Sequence, residues 1–569
     1  MSSQSGSSLI CRSLERLGVE HIFGLPGTQN VDFFEELRQS TIRAIVPTHE
    51  LAAGFMANGY YRSSGRPGVL TTIPGPGFAY VVAAIAEARH DSAAVLYIVE
   101  KPESAPAHKF TLQAIDQQAI LGTLVKETIT VEQTADIPAA VHRAYLATLS
   151  GEPGPVLLHV GKKALAGFAN DPGTLSSPPL QVASSADLAE VGSRLAQARR
   201  PMLYVGQGGN SAAELVRTLA ELLKAPVVAT RSARGVIPEN HPLAMRFESN
   251  ERGATALNAL IESSDLILAI GCKFSHNGTF GFRLQLPAER LIHVDACSDV
   301  LNANFETSLS ICADAASFLR ALLQDQRLGH SAWTPAQLAA NAALPSSSSA
   351  PEPTIRGIQP NTPAAFFNAL RRAIPADGFL VTDTGSHQVL ASRHYQVLSP
   401  RTFVIPSDFQ SMGFGLPAAI AAKLANPGRP VVALIGDGGL LMCGMEICTA
   451  VREHIPITVI VFNDGAYGQI RMQQHSSFGH SIGTDLLPPN MELLATSFGA
   501  RYLKFSQKEC SLQQAIENDC VTIVEVEVEA SLSMHVQRAT GLGRSIARSL
   551  GAQYFRSRLQ SFRERKSFQ

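Results

Sequence analysis

The chain predicts an α/β fold of three parallel-sheet domains, and three observations carry that expectation. Short apolar runs alternate with longer amphipathic stretches along most of its length, the pattern of helices crossing over parallel strands. Several apolar runs close in loops rich in glycine and aspartate. Two low-complexity stretches split the 569 residues into three blocks of similar size.

The first stretch, Gly167 to Asp187, carries Asp171-Pro172-Gly173 and Ser176-Ser177-Pro178-Pro179. The second, Thr334 to Thr362, carries Ser346-Ser347-Ser348-Ser349 and Pro351-Glu352-Pro353. Both are linker-like in composition. The expected domains are therefore residues 1–166, 187–330 and 360–535, followed by a tail over 536–569. Strands are expected at Gly68-Val69-Leu70-Thr71-Thr72-Ile73, Val156 to Val160, Leu266 to Ile270 and Thr522 to Val526. No fixed-period repeat is visible. Each block reads as a Rossmann-like or flavodoxin-like unit.

Lys+Arg 47 against Asp+Glu 48 leaves no excess charge to attract nucleic acid or an acidic membrane. The eight cysteines (11, 272, 297, 312, 443, 448, 510 and 520) show no Cys-x-x-Cys spacing and read as reduced core residues. No basic-then-apolar leader opens the chain, and no apolar run is long enough to span a bilayer. The expected compartment is the cytoplasm, with neither nucleic acid nor membrane as a partner.

The third block holds a split signature. Gly436-Asp437-Gly438 follows the strand-like Val431 to Ile435, and Asn463-Asp464-Gly465-Ala466-Tyr467-Gly468 follows Ile457 to Phe462. A helical stretch, Leu440 to Glu453, lies between. In a parallel βαβ unit both loops emerge at one edge of the sheet, so Asp437 and Asp464 converge. Taken singly, each loop is an ordinary turn. Together, two carboxylates, a backbone carbonyl and small glycines suit a magnesium or calcium ion that neutralises a phosphate. In the first block, Phe23-Gly24-Leu25-Pro26-Gly27-Thr28, Pro47-Thr48-His49-Glu50 and Gly75-Pro76-Gly77-Phe78 also follow strands, where open α/β sheets bind ligands. Apolar neighbours of Glu50 are expected to bury it and disfavour its charged form, although a first-turn helix glutamate reads the same way.

This arrangement resembles the thiamine-diphosphate-dependent enzymes of the acetolactate synthase and benzoylformate decarboxylase type, acetolactate synthase large subunits most of all. The family pairs Gly-Asp-Gly with Asn-Asn; here Asn463-Asp464 stands in the second place. Its Phe-Gly-x-Pro-Gly, His-Glu and Gly-Pro-Gly segments are matched in the first block. Leu112-Gln113-Ala114-Ile115-Asp116 before Lys126, Asp383-Thr384-Gly385-Ser386-His387-Gln388 and Ser411-Met412-Gly413-Phe414-Gly415 extend the resemblance over roughly residues 8 to 530.

The resemblance implies the roles. Glu50 would protonate the cofactor's pyrimidine, and Gln113 would lie beside the reacting centre. Met412, following Ser411, would wedge the two rings into a bent shape. With Glu50 and Met412, Pro26, Gly27, Gly385, His387, Gln388, Ser411, Gly436, Gly438, Gly439 and Tyr467 would bind the cofactor. Asp437, Asp464 and the Ala466 carbonyl would hold Mg2+ on the diphosphate, with Asp464 adding a negative charge. Thr28, Phe78 and Lys126 are candidate substrate contacts. His475 and His480 read either as proton donors or as plain loop residues. A glutamate that meets a diphosphate held by another subunit implies a homodimer or homotetramer.

Pro201 to Val205 runs into Gly206-Gln207-Gly208-Gly209, which looks like a dinucleotide loop. It lacks the third glycine, and Val227 to Thr230 ends without a ribose-gripping acid. A spacer domain is therefore expected over an FAD site. The tail carries seven arginines and Lys566 against Glu564 and reads as a solvated helix or as a lid over an anionic substrate. The function expected is decarboxylation of a 2-oxo acid with transfer to a carbonyl acceptor. Gln113, Lys126 and the lack of a paired-histidine motif favour that branch over simple decarboxylases of the pyruvate and benzoylformate type. The alternatives are a non-carboligating decarboxylase, a 2-hydroxyacyl-CoA lyase or, from another class, an FAD-dependent oxidase.

Overall fold

The computed structural model describes residues 3–102, 111–175, 182–246, 250–329, 331–342, 352–506 and 512–529. The basic tail and Cys510 lie outside them. The seven cysteines within them are free thiols, and no helix among the described residues is long and apolar enough to cross a membrane.

Among the described residues three large sheets form, one per block, beside a two-stranded antiparallel pair of Gln4–Ser5 with Phe168–Ala169. The first runs Arg43–Ile45, His21–Gly24, Gly68–Thr72, Val95–Lys101, Pro155–Gly161, Glu127–Val131, all parallel. The central sheet runs Ala244–Met245, Val227–Ala229, Pro201–Val205, Leu266–Ile270, Leu291–Asp295, Leu309–Cys312, again all parallel. In the third, Phe403–Val404, Phe379–Thr382, Val431–Gly436, Thr458–Asn463 and Thr522–Glu529 are parallel neighbours. Arg501–Lys504 and an antiparallel Thr354–Ile355 pair with the outer strand. Strand interiors are almost continuously apolar and buried, as sheets covered on both faces require.

One rule recurs in all three sheets. The first major strand of each block has its next strand on one side and a later one on the other, which opens a crevice at the carboxyl ends. The crevice lies between His21–Gly24 and Gly68–Thr72, between Pro201–Val205 and Leu266–Ile270, and between Phe379–Thr382 and Val431–Gly436.

Two local expectations change. The helix foreseen over Leu440 to Glu453 is two helices, Asp437–Cys443 and Glu446–Arg452. Gly444, a weak helix former, sits at the break, where a Cβ would lie 2.4 Å from the Leu440 carbonyl oxygen. The second linker-like stretch is partly structured, with a helix at Pro335–Ala342 and the short strand Thr354–Ile355.

The first and third blocks share one core, which runs through Phe55, Phe78, Tyr97, Phe414, Ala418 and Val459. Its axis is the crossing of helix Glu50–Ser64 on helix Gly415–Ala425. Both helices are buried along nearly their whole length, so neither shows a polar stripe. At the crossing, a Cβ on Gly59 would lie 2.6 Å from the Ala418 Cα, and the Phe55 and Phe414 rings meet edge-on at 5.6 Å. Below it, Arg62 pairs with Asp91 at 2.7 Å, both buried, and Asp91 accepts from the Ser407 amide at 3.0 Å and hydroxyl at 2.6 Å. Gly59→Val is expected to force the helices apart and cost about 1–3 kcal/mol; thermal unfolding of the purified variant checks this.

Candidate active site

The third-block crevice gathers most of the residues expected there. Phe379–Thr382 ends in Asp383-Thr384-Gly385, which turns into helix Ser386–His394. Val431–Gly436 passes directly into helix Asp437–Cys443. The His387 ring is wedged between these loops: a Cβ on Gly385 would lie 2.8 Å from its Cε1, and one on Gly436 would lie 3.2 Å from its Nδ1. Burial pushes the imidazole down to about 4, so it is neutral near pH 7. Gly438 abuts Tyr467 and Met412, where a Cβ would come within 2.8 Å of the Tyr467 Cε1 and 3.2 Å of the Met412 Cε.

Asp437 senses the charge of Asp464. Burial, with Asp464 adding to it, pushes Asp437 up to about 6. Burial also raises Asp464, opposed by Arg471, whose guanidinium lies 4.0 Å from it. Ala466 is buried, and its carbonyl accepts from the Gly468 amide at 2.8 Å.

Four buried polar atoms around this crevice have no hydrogen-bond partner: Thr384 Oγ1, His387 Nε2, Asp437 Oδ2 and Thr484 Oγ1. Buried polar groups are normally paired, so this cluster suits a polyanionic ligand with its cation. The oxygen donors are those a hard cation takes. No group of three or more His, Cys, Asp or Glu gathers among the described residues. A cation here would therefore complete its shell from the ligand and water.

The first-block crevice gathers a second cluster. Glu50 opens its helix behind His49, whose Nδ1 accepts from the Leu51 amide at 3.1 Å. A Cβ on Gly77 would lie 3.2 Å from the Glu50 Oε1, and one on Gly75 would lie 2.6 Å from the Gln113 Cβ. The Gln113 side chain accepts from Gln29, next to Thr28. Asn30 staples the Leu25–Gly27 turn, accepting from the Gly27 amide at 2.7 Å and donating to the Leu25 carbonyl at 3.1 Å. Pro26 and Thr28 face solvent.

Three expectations need correction: the burial of Glu50, and Phe78 and Lys126 as substrate contacts. Glu50 is only half-buried within the single chain, because its loop lies at an open sheet edge with Thr48 and His49 exposed. Phe78 is fully buried and stacks on Tyr97 at 5.6 Å, a core position no substrate reaches. Lys126 precedes strand Glu127–Val131, so it sits at the amino edge of the sheet, opposite the crevice. There its ammonium donates to the carbonyls of Ala147, at 2.7 Å, and Ser150, at 2.5 Å, at the end of helix Ile137–Leu149. The Gln388 amide group donates to the Pro406 carbonyl at 2.9 Å, and the Ser411 amide donates to Glu87 at 2.7 Å. Both bonds fix the loop that carries Met412. His475 lies in helix Gly468–Phe478 with its Nε2 3.2 Å from the Ser481 hydroxyl, and the exposed His480 lies just beyond that helix.

In the central crevice a cavity of about 300 Å3 is lined by Gly206, Gly208, Arg231, Lys273, Asp295 and Arg401, among others. The glycine-loop amides are already spent: Gly206 on the Ile270 carbonyl at 2.9 Å, Gly208 on Gly271 at 3.0 Å, and Gly209 on Gly206 at 2.9 Å. A phosphate cradle needs such amides free. These residues therefore do not fit the diphosphate of FAD at that loop.

Asp383 opens the Asp-Thr-Gly-Ser-His-Gln motif, and no local pattern in the sequence marks its role. It is fully buried, accepting from the amides of Thr384 at 2.7 Å and Gly413 at 2.9 Å. It thereby ties the His387 loop to the Met412 turn, where Gly413 adopts a φ of 84°. Burial pushes its carboxyl up to about 7. The folded state then binds the proton more tightly than the unfolded chain, so this carboxyl costs stability as pH rises from about 4 to about 7. Asp383→Asn is expected to gain stability relative to the parent across that window, by at most about 4 kcal/mol, and to hold a constant offset above it. Thermal unfolding measured from pH 4 to 8 checks this.

Three family models match the chain: the thiamine pyrophosphate enzyme N-terminal TPP binding domain over residues 4–120, the central domain over 188–322 and the C-terminal TPP binding domain over 383–526. The acetolactate synthase isozyme 1 large subunit of Escherichia coli is 28% identical over 92% of this chain and 94% of its own length. A protein of Pseudomonas aeruginosa described as "Probable 2-ketoarginine decarboxylase AruI" is 32% identical over 92% of this chain and 93% of its own. The acetolactate synthase of Mycobacterium bovis is 30% identical over 94% and 90%. With its three domains in that order and its buried polar cluster in the third crevice, the chain belongs to the thiamine-pyrophosphate-dependent enzymes that act on 2-oxo acids.

Proposed function

We infer that the protein decarboxylates a 2-oxo acid and joins what remains to a second carbonyl compound, using thiamine diphosphate with Mg2+. The observation that carries this reading is the third-block crevice, where His387 and Asp437 present unpartnered buried atoms beside Met412, Gly438 and Tyr467. Thiamine diphosphate, when bound, supplies a carbon that attacks the 2-oxo carbonyl and takes up the electrons left by departing carboxylate.

The chain's own groups divide the remaining work. Asp437, Asp464 and the Ala466 carbonyl supply oxygen donors to the cation, and neutral His387 meets the diphosphate without adding charge. Met412 and the Tyr467 ring crowd the space over Gly438 and would support the rings of a cofactor held there. Glu50 holds a proton at the pyrimidine end, next to Gly77. Gln113 closes that crevice against Gly75.

A second copy of the chain completes the site in this reading, as a homodimer or homotetramer. No hydrogen bond or ion pair among the described residues joins Glu50 or Gln113 to Asp437, His387 or Met412. Leu441 and Met442, on helix Asp437–Cys443, Met445, just after it, and Tyr80, at the end of helix Pro76–Tyr80, are exposed. Apolar side chains grouped there suit a closed two-fold contact.

Carboligation rests on the acetolactate synthase relatives and on Gln113. Simple decarboxylation is the second reading, favoured by the 2-ketoarginine decarboxylase relative and by the placement of Lys126 away from the crevice. The spent amides of the central loop support a colourless enzyme over a flavin oxidase.

A panel of 2-oxo acids with and without aldehyde or 2-oxo acid acceptors, in magnesium and thiamine diphosphate, tests this. Carbon dioxide release should require both the cofactor and the metal, and ligated product should form only with an acceptor. Release that persists without the cofactor overturns the reading. Glu50→Gln should lower the rate by at least about 100-fold, the scale of lost general acid–base catalysis.

A further inference from the structure

Glu446 opens helix Glu446–Arg452, directly after the Asp437–Cys443 helix of the third block. It is 1% exposed. Its carboxylate nevertheless reaches across the domain boundary into the first block. The Thr48 amide donates to both oxygens, at 3.1 and 3.2 Å, and the Thr48 hydroxyl donates at 2.5 Å. The Thr449 hydroxyl donates at 2.6 Å. Thr48 lies two residues before Glu50, in a loop where Thr48 and His49 are exposed, Pro47 is buried and Glu50 is half-buried.

The rest of the helix follows the same segment. Arg452 donates to the Val46 carbonyl, and Arg43 donates to the Glu453 carbonyl at 2.9 Å and carboxylate at 2.8 Å. These outer contacts are solvent-facing and screened, so they hold the loop weakly. The buried carboxylate is different. It has given up its hydration for bonds from three donors, the shared Thr48 amide and the two hydroxyls at 2.5 and 2.6 Å, and hydrogen bonds in a dry site are stronger than those in water.

We propose that Glu446 is a positioning residue for Glu50: it fixes the height and tilt of the Pro47–Glu50 loop so that the Glu50 carboxyl meets the cofactor's pyrimidine. This rests on the reading of Glu50 as the pyrimidine's acid. It adds a consequence that reading lacks. If a second copy completes each site, the chain that holds a metal at Asp437 also sets, nine residues later, the glutamate serving the neighbouring site.

The test uses the full chain and two readouts. Amide hydrogen exchange of the segment over residues 45–51, without cofactor, reads the loop itself. Exchange of the bound cofactor's C2 proton with deuterium, at saturating thiamine diphosphate and magnesium, reads activation of the pyrimidine without turnover. Glu446→Leu is expected to speed the first and slow the second by about 10–100-fold, the scale of an ångström-sized misplacement. Glu446→Gln, which keeps an acceptor oxygen for Thr48, should stay within about 5-fold of the parent in both.

Glu50→Gln separates the two ideas. If it leaves C2 exchange unchanged, the reading of Glu50 fails and the proposal falls with it. If it slows exchange while Glu446→Leu does not, the proposal alone is overturned. Should Glu446→Leu fail to fold, Thr48→Val carries the test, since it removes only the hydroxyl donor. Faster loop exchange and slower C2 exchange support the proposal; parent-like values in both overturn it.

Discussion

The close approach of two buried helices is the constraint on which the rest of the molecule depends. Helix Glu50–Ser64 begins at the candidate acid, and helix Gly415–Ala425 begins just after Met412. Gly59 meets the backbone of Ala418, and Phe55 meets Phe414. Because interiors are close-packed and yield little, that crossing sets where each helix starts. The two site loops of one chain are thus placed by a contact far from any reacting atom.

Around this axis the polar contacts work reciprocally. Glu87 and Asp91, on one first-block helix, bond the Ser411 and Ser407 amides of the third-block loop that carries Met412. Glu446, on a third-block helix, bonds the first-block loop that carries Glu50. Each domain holds a loop of the other with buried carboxylates. Burial of acids without a full set of charged partners is costly; here backbone amides and hydroxyls offset much of that cost.

Three sheets with one topology put three crevices at their carboxyl ends, yet the crevices differ in chemistry. The third keeps unpartnered polar atoms pointing inward. The first keeps a half-buried glutamate beside two glycines. In the central one the loop amides are consumed by loop-to-loop bonds, although its glycine pattern looks much like a phosphate loop. Topology supplied the crevice; hydrogen-bond bookkeeping decided whether it suits an anion.

The strands were legible because buried parallel strands are continuous apolar runs: Val431–Gly436 and Thr458–Asn463 fall within a residue of where the pattern put them. Asp437 and Asp464 were legible because parallel strands bring their trailing loops to one edge. Gly438, Met412 and Tyr467, which the motifs named one by one, meet in the folded chain. Lys126 and Phe78 were misjudged because nearness in sequence to a site loop does not say which edge or face a side chain takes. Lys126 precedes its strand, and Phe78 turns into the core. Asp383, Asn30, Glu87 and Glu446 gave no signal of their role, because each acts through bonds to backbone amides whose positions no local pattern encodes. The sequence alone therefore determined the three α/β units and the loops that carry chemistry, since those follow from hydrophobic period and strand polarity. Only the tertiary structure decided which loops are clamped, which amides are free and how far Glu50 is buried, since those depend on contacts between residues hundreds of positions apart.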